Sequence, residues 1–375
     1  MQVLTLLLAL ALQAQSPVAA SDISNDNPKN SSLDRAVHSA VTYFFKKPSH
    51  VGLSLAIYND GQISYYNYGI TSKARPHLPT NNSLYEIASI TKTFTGALAS
   101  KALLDGKMKL DGDFRNYLKE PYPNLEANGK PITLRNLASH TSGLPKDIPS
   151  SDALFQHPDF DRLPYQLITN EKGYDTARYL KELHVVKLIS EPGSKMVYSN
   201  IGIKLISFGL ERVYGLSYPQ LLARYITGPL GMDRTGLTVF RRDRLWLAQG
   251  YGPSGKPMPY HLLNAGAAGG LYSNTEDLIK YVAWQLAETD PIVKMSHSLI
   301  EGDIGKFGIG LIWDETTTAG HERKLWHSGG AYGMASQMIL FPDAKFGLVL
   351  LANDGGFNTQ SELDELAMAI RASQK

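Results

Sequence analysis

Cysteine is absent from this 375-residue chain, which excludes disulfides, thiolate metal sites and a cysteine nucleophile together. The absence leaves the compartment open, because exported bacterial enzymes of this size commonly fold without disulfides. A charge excess of either sign is missing too. Lys plus Arg total 37 and Asp plus Glu total 35, a formal charge of +2, with no long single-sign run. Neither nucleic acid nor an anionic membrane surface is implied as a partner. Beyond the first residues no apolar run approaches the roughly 20 residues needed to cross a bilayer, so no span is expected in the mature chain. There is no internal repeat and no low-complexity segment. The 10 histidines are dispersed, and no H-E-x-x-H or comparable ligand spacing occurs, so no metal or cofactor is called for.

What is present begins with an ordinary globular balance, 43% hydrophobic and 19% charged, in a chain long enough for one large domain or two lobes. Val3 to Leu12 is nearly unbroken Leu, Val and Ala, and Val18-Ala19-Ala20 supplies small residues where a signal peptidase reads. The n-region has no Lys or Arg, only the α-amino group. The run is too short for an anchor, so residues 1–20 read as a cleaved secretory signal and the mature protein as periplasmic or extracellular.

Strand-prone segments lie at opposite ends. Val51 to Tyr58 and Gln62 to Tyr68 flank Asn59-Asp60-Gly61, a hairpin signal. Near the C-terminus come Phe307 to Trp313, Lys324 to Trp326, Met334 to Phe341 and Phe346 to Ala352, with a turn at Pro342 to Lys345. Leu33 to Phe45 and Ser361 to Ala372 carry the 3.6-residue apolar spacing of helices covering a sheet. The middle, about Thr91 to Glu288, reads as helices (Thr93 to Leu104, Ile201 to Tyr214, Tyr218 to Tyr225, Thr275 to Leu286) between Gly- and Pro-rich loops. The expected fold is α/β plus α: an antiparallel sheet built from both chain ends, flanked by N- and C-terminal helices, with a helical lobe inserted. The expected domain spans 21–375, with a sheet lobe at about 33–88 and 300–375 and a helical lobe at about 89–299. A cleft is expected where the lobes meet.

Three short motifs carry chemistry. Ser89-Ile90-Thr91-Lys92 opens a helix-like run, so Lys92 sits one turn after Ser89 on the same face. A serine hydroxyl needs a base to become nucleophilic, and a helix N-terminus favours a developing oxyanion. Taken alone, the motif reads equally as a helix cap followed by a solvated lysine. Tyr198-Ser199-Asn200 follows the turn Glu191-Pro192-Gly193. A tyrosinate can share the role of base, and the amide of Asn200 can orient Lys92 and bind a substrate carbonyl. The same Y-x-N pattern recurs at Tyr65, Tyr122 and Tyr272, which read as a sheet aromatic, a proline-flanked turn and a helix cap. His327-Ser328-Gly329-Gly330 ends a β-prone run, where small residues let a substrate backbone pair with the strand edge. The N–H groups of Ser89 and Gly330 are the expected oxyanion hole.

The three motifs in this order are far more specific than any one. The chain resembles the serine β-lactamase and penicillin-binding-protein superfamily, in its class C branch of class C β-lactamases, DD-peptidases, D-aminopeptidases and related esterases. The resemblance covers nearly the whole mature chain, including Ile132 to Leu137 running into His140-Thr141-Ser142-Gly143-Leu144-Pro145, Gly228 to Met232 and Ala268 to Ser273. His140 reads as structural. The resemblance implies an acyl-enzyme mechanism on β-lactam or D-amino-acid peptide amides. Ser89 would be the nucleophile, Lys92 and Tyr198 the base system, Asn200 a ligand of substrate and lysine, and His327, Ser328 and Gly329 substrate contacts. His327 stands where β-lactamases of the branch carry lysine, and a histidine is charged only part of the time. Efficient β-lactam hydrolysis is thereby placed in doubt, acylation is not. A carboxylesterase using the same residues is the rival enzyme, and a penicillin-binding sensor without turnover the rival of another class. The partner is a small-molecule or peptide substrate, chosen by loops such as Leu144 to Lys172 and Arg241 to Asn264. Composition and motifs leave the oligomeric state open.

Overall fold

The computed structural model describes residues 23–260 and 265–374. The expected signal, 1–20, lies outside the described residues, as do positions 261–264 of the second specificity loop.

Near-continuous apolar runs at the two chain ends build one eight-stranded antiparallel sheet whose central strands are buried on both faces. Its strands are β1 (Gly52–Asn59), β2 (Gln62–Gly69), β3 (Glu301–Asp303), β4 (Phe307–Ile309), β5 (Asp314–Thr317), β6 (Arg323–Gly330), β7 (Ala335–Phe341) and β8 (Phe346–Ala352). They lie in the order β2-β1-β8-β7-β6-β5-β4-β3, so the N-terminal hairpin closes against the last strand. The hairpin turn falls on Asp60 and Gly61, both at positive φ (+44° and +92°), as a two-residue turn between right-twisted strands requires.

β8 is buried along its whole length, because both sheet faces are covered. Leu348 and Leu350 pack with Val37 and Val41 of α1 (Ser32–Phe44) and with Leu363 and Ile370 of the C-terminal helix, Thr359–Ala372. Val349 and Leu351 point the other way, into the larger core. That core is shared by α2 (Thr91–Leu104), α3 (Asn200–Tyr214) and α4 (Thr275–Leu286) of the inserted lobe. The C-terminal helix is α5.

Some boundaries differ from expectation. The strand expected at Phe307 to Trp313 stops at Ile309. Gly310 N–H bonds back to Trp313 O at 2.9 Å and Ile312 takes φ +79°, which turns Leu311 and Trp313 into the core at 0% exposure. β6 runs on to Gly330 and so contains the His327 motif rather than ending before it. The helix expected at Tyr218 to Tyr225 is α-helical only over Tyr218–Leu222, then widens over Ala223–Thr227. Two helices, Leu163–Asn170 and Thr176–Leu183, fill the region after the first specificity loop begins. Among the described residues no helix is long and apolar enough to cross a membrane.

Candidate active site

Ser89 lies in a single 3-10 turn, Ala88–Ile90, that leads into α2. The turn is held from both lobes. Ile87 N–H donates to Leu271 O at 3.0 Å, and Ile87 O accepts from Ser336 Oγ of β7 at 2.8 Å. Ala88 is forced to φ +44°, a left-handed conformation that costs a non-glycine residue energy and clusters at functional sites. It turns the Ser89 side chain into a cleft of about 510 Å³ between the sheet and the helical lobe.

One turn later, Lys92 is fully buried. Its Nζ donates to Ser89 Oγ at 2.8 Å and to the carbonyl of Ala268. The Tyr198 hydroxyl donates to the same Oγ at 2.8 Å, and Lys92 Nζ lies 4.9 Å from the Tyr198 ring centroid. Three residues that are remote in sequence therefore meet at one oxygen.

Burial is the main influence on both the Lys92 amine and the Tyr198 phenol, with opposite effects. It lowers Lys92 to about 7, with Lys204 and Lys146 adding to the effect and Asp147 opposing it. It pushes the Tyr198 phenol above its usual value. Near neutrality Lys92 has a substantial free-amine fraction while Tyr198 keeps its proton. The tyrosinate expected to share the role of base is not favoured by this environment.

Asn200 begins α3 and lines the cleft. Its backbone N–H donates to Lys146 O at 2.8 Å and its Nδ2 to Asp147 Oδ1 at 2.9 Å. No hydrogen bond joins Asn200 to Lys92 in this geometry: one Nδ2–H goes to Asp147, and Lys92 donates to Ser89 Oγ and Ala268 O, which leaves the amide oxygen and the second N–H of Asn200 facing the cleft. Asp147, Lys146 and Lys204 in the cleft wall were not anticipated, since isolated charges on a loop and a helix carry no pattern.

His327 is buried in β6. Nδ1–H donates to Ser328 O at 2.8 Å, which leaves Nε2 as the acceptor. Burial first, then the neighbouring Lys92, lowers it to about 4. The part-time charge expected for it is corrected to a neutral imidazole at pH 7. Of its motif, Gly330 lines the cleft together with Ser89, while His327 and Gly329 are buried in the strand and Ser328 is half-buried. A Cβ on Gly329 would lie 2.3 Å from Ile87 O and 3.0 Å from Ser89 N, so only glycine lets β6 approach the serine turn. β5 pairs with β6 only as far as Trp326 opposite Asp314, leaving the cleft-side edge of 327–330 without a strand partner from β5.

Residues 36–373 match the family model described as Beta-lactamase. Over 256 residues the chain is 30% identical to a Beta-lactamase of Pseudomonas fluorescens, covering 67% of this chain and 64% of that protein. Over 328 residues it is 27% identical to the D-alanyl-D-alanine-carboxypeptidase/endopeptidase AmpH of Escherichia coli K12, covering 81% and 80%. The first curated relatives are thus matched over only about 54–64% of their own length. The fold is that of a solved class C beta-lactamase, at TM-score 0.77, 23% identity and coverage of 93% and 98%.

Proposed function

The chain belongs to the beta-lactamase family of serine hydrolases, and from that premise we propose that it is an exported acyl-transfer enzyme acting on β-lactam or D-amino-acid peptide amides through Ser89. The observation that carries the reading is the convergence of Lys92 Nζ and Tyr198 OH on Ser89 Oγ, each at 2.8 Å.

In this reading the free amine of Lys92 takes the Ser89 hydroxyl proton as Oγ attacks the carbonyl carbon. The N–H groups of Ser89 and Gly330 hold the oxyanion. The proton passes from Lys92 by way of Tyr198 to the leaving nitrogen, and the C–N bond breaks. Water, its proton taken by the same pair, then attacks the acyl carbon; the bond from that carbon to Oγ breaks and the proton is returned to Ser89 Oγ. Asn200 holds the acyl-side carbonyl of the substrate, and the open edge at 327–330 receives its backbone as an added strand. Export rests on the apolar leader at Val3 to Leu12.

A neutral His327 provides no cation for a substrate carboxylate. That supports slow β-lactam turnover and gives the carboxylesterase reading its one specific support, since an ester needs no such cation. The complete set of Ser89, Lys92 and Tyr198 weighs against a sensor without turnover. The test is parallel turnover of a D-Ala-D-Ala peptide, a chromogenic cephalosporin and a short-chain aryl ester. The peptide or the cephalosporin is expected to be turned over with a rate abolished by Ser89→Ala. Turnover of the ester alone would replace this reading with the esterase.

A further inference from the structure

The acid–base role of Tyr198 requires its hydroxyl to stay within hydrogen-bond reach of Ser89 Oγ, yet Tyr198 precedes the extended N-cap Ser199 of α3, and although its hydroxyl is desolvated the residue as a whole is 36% exposed. Something must fix it from behind. His140, read from sequence as structural, contacts all three residues of that segment. Its carbonyl accepts from Val197 N–H at 2.7 Å and its Nδ1 accepts from Ser199 N–H at 3.2 Å. Its ring lies against the Tyr198 ring, with centroids 4.4 Å apart and planes at 35°. His140 itself is 5% exposed and adopts φ +58°. Such a backbone is uncommon outside glycine, though less so for histidine than for most residues, and marks a locally constrained position.

From this geometry we propose that His140 is the positioning residue that orients Tyr198 for proton transfer at Ser89. The inference rests on the role given to Tyr198 above. The carbonyl bond to Val197 would be made by any residue here, but Nδ1 on Ser199 N–H and the ring against Tyr198 belong to the imidazole alone, and together they hold the tyrosine and the residue after it. The hydrogen bond from Ser199 requires a lone pair on Nδ1, hence a neutral ring with its proton on Nε2. Burial first, with the charge of the neighbouring Lys92 adding to it, lowers His140 to about 3, so that lone pair persists across the working range.

The test is a double-mutant cycle on the full mature chain, read by acylation kinetics with a penicillin or an activated ester. His140→Leu is expected to lower the acylation rate constant about 10- to 100-fold with little change in substrate affinity, the size of a mispositioned acid–base group. In a Tyr198→Phe background the same substitution should cost less than about threefold, because its effect runs through the tyrosine. His140→Asn places an acceptor where Nδ1 was and tolerates positive φ, so it should recover most of the rate. The proposal is overturned if His140→Leu leaves the rate intact, if its loss multiplies undiminished onto Tyr198→Phe, or if His140→Asn is as slow as His140→Leu. Should the leucine variant not fold, His140→Gln, whose acceptor lies one bond too far out, takes its place with the same expectations. If Tyr198→Phe alone leaves acylation unchanged, the role of the tyrosine falls first and this inference with it.

Discussion

The chemistry of the site turns on which protonation states a few buried side chains can hold. Lys92 is lowered to about 7 chiefly by burial, and only its free amine can accept the serine proton. With the active form being the deprotonated one, kcat/KM for acylation should fall about tenfold per pH unit below about 7 and level off above it. A pH profile measured on a substrate that does not itself titrate checks this; a flat profile from pH 5 to 9 would remove Lys92 as the base. His327 gives a second, coupled expectation. Replacing its neutral ring by an ammonium (His327→Lys) puts a like charge near Lys92 and disfavours the protonated form of Lys92. The acid limb of the profile should therefore move below 7. KM for a carboxylate-bearing cephalosporin should fall about 10-fold, the worth of a charge-assisted hydrogen bond, while KM for a neutral ester should not.

Elements place these residues by backbone approach as much as by side-chain contact. β6 passes so close to the serine turn that Gly329→Ala sets a Cβ 2.3 Å from one backbone atom and 3.0 Å from another, Ser89 N. The serine must shift, and about 10²-fold of kcat is the expected loss, since displacements near 1 Å cost that much in a positioned site. Gly330→Ala meets instead the side-chain end of Gln360, at 3.3 Å, which can move aside. Its loss should be at least tenfold smaller, and steady-state kinetics on the two variants compare them directly. The elements differ in how far the sequence announces them. α3 and α4 are legible from their one-sided apolar spacing and ordinary caps, as where the Asn274 side chain accepts from Asp277 N–H to start α4; the hairpin, β7 and β8 are legible as apolar β-prone runs bounded by turns, and α2, buried nearly all round, as a long apolar run. β5, Asp314–Thr317, has no such pattern. It is a strand because β4 and β6 flank it and Arg323 ties Glu315 to its neighbour. The turn at Gly310 to Trp313 is likewise set by packing, with Leu311 O passing 2.3 Å from where a Cβ on Gly96 would sit. No local propensity encodes that contact.

At the scale of the whole molecule, the two chain ends meet in one sheet through the β1–β8 pairing, and the helical lobe between them leaves the cleft along their junction. This was readable from where the strand-like and helix-like segments fall. The site was readable in part: Ser89, Lys92 and Tyr198 come together as their spacing and order suggested, and Asn200 and Gly330 line the same cleft. The partner of Asn200, the charge state of His327 and the contact of His140 with Tyr198 were not, because each depends on burial and on loops that local sequence does not specify. In the proposed reading all of these details serve a single event, acylation of Ser89. The most direct measurement is therefore the intact mass of the protein after brief incubation with a penicillin. The account predicts a gain of one whole penicillin mass, confined by peptide mapping to the peptide bearing Ser89 and absent in Ser89→Ala. An adduct that persists in Ser89→Ala, or no adduct while the folded enzyme turns over substrate, would contradict it.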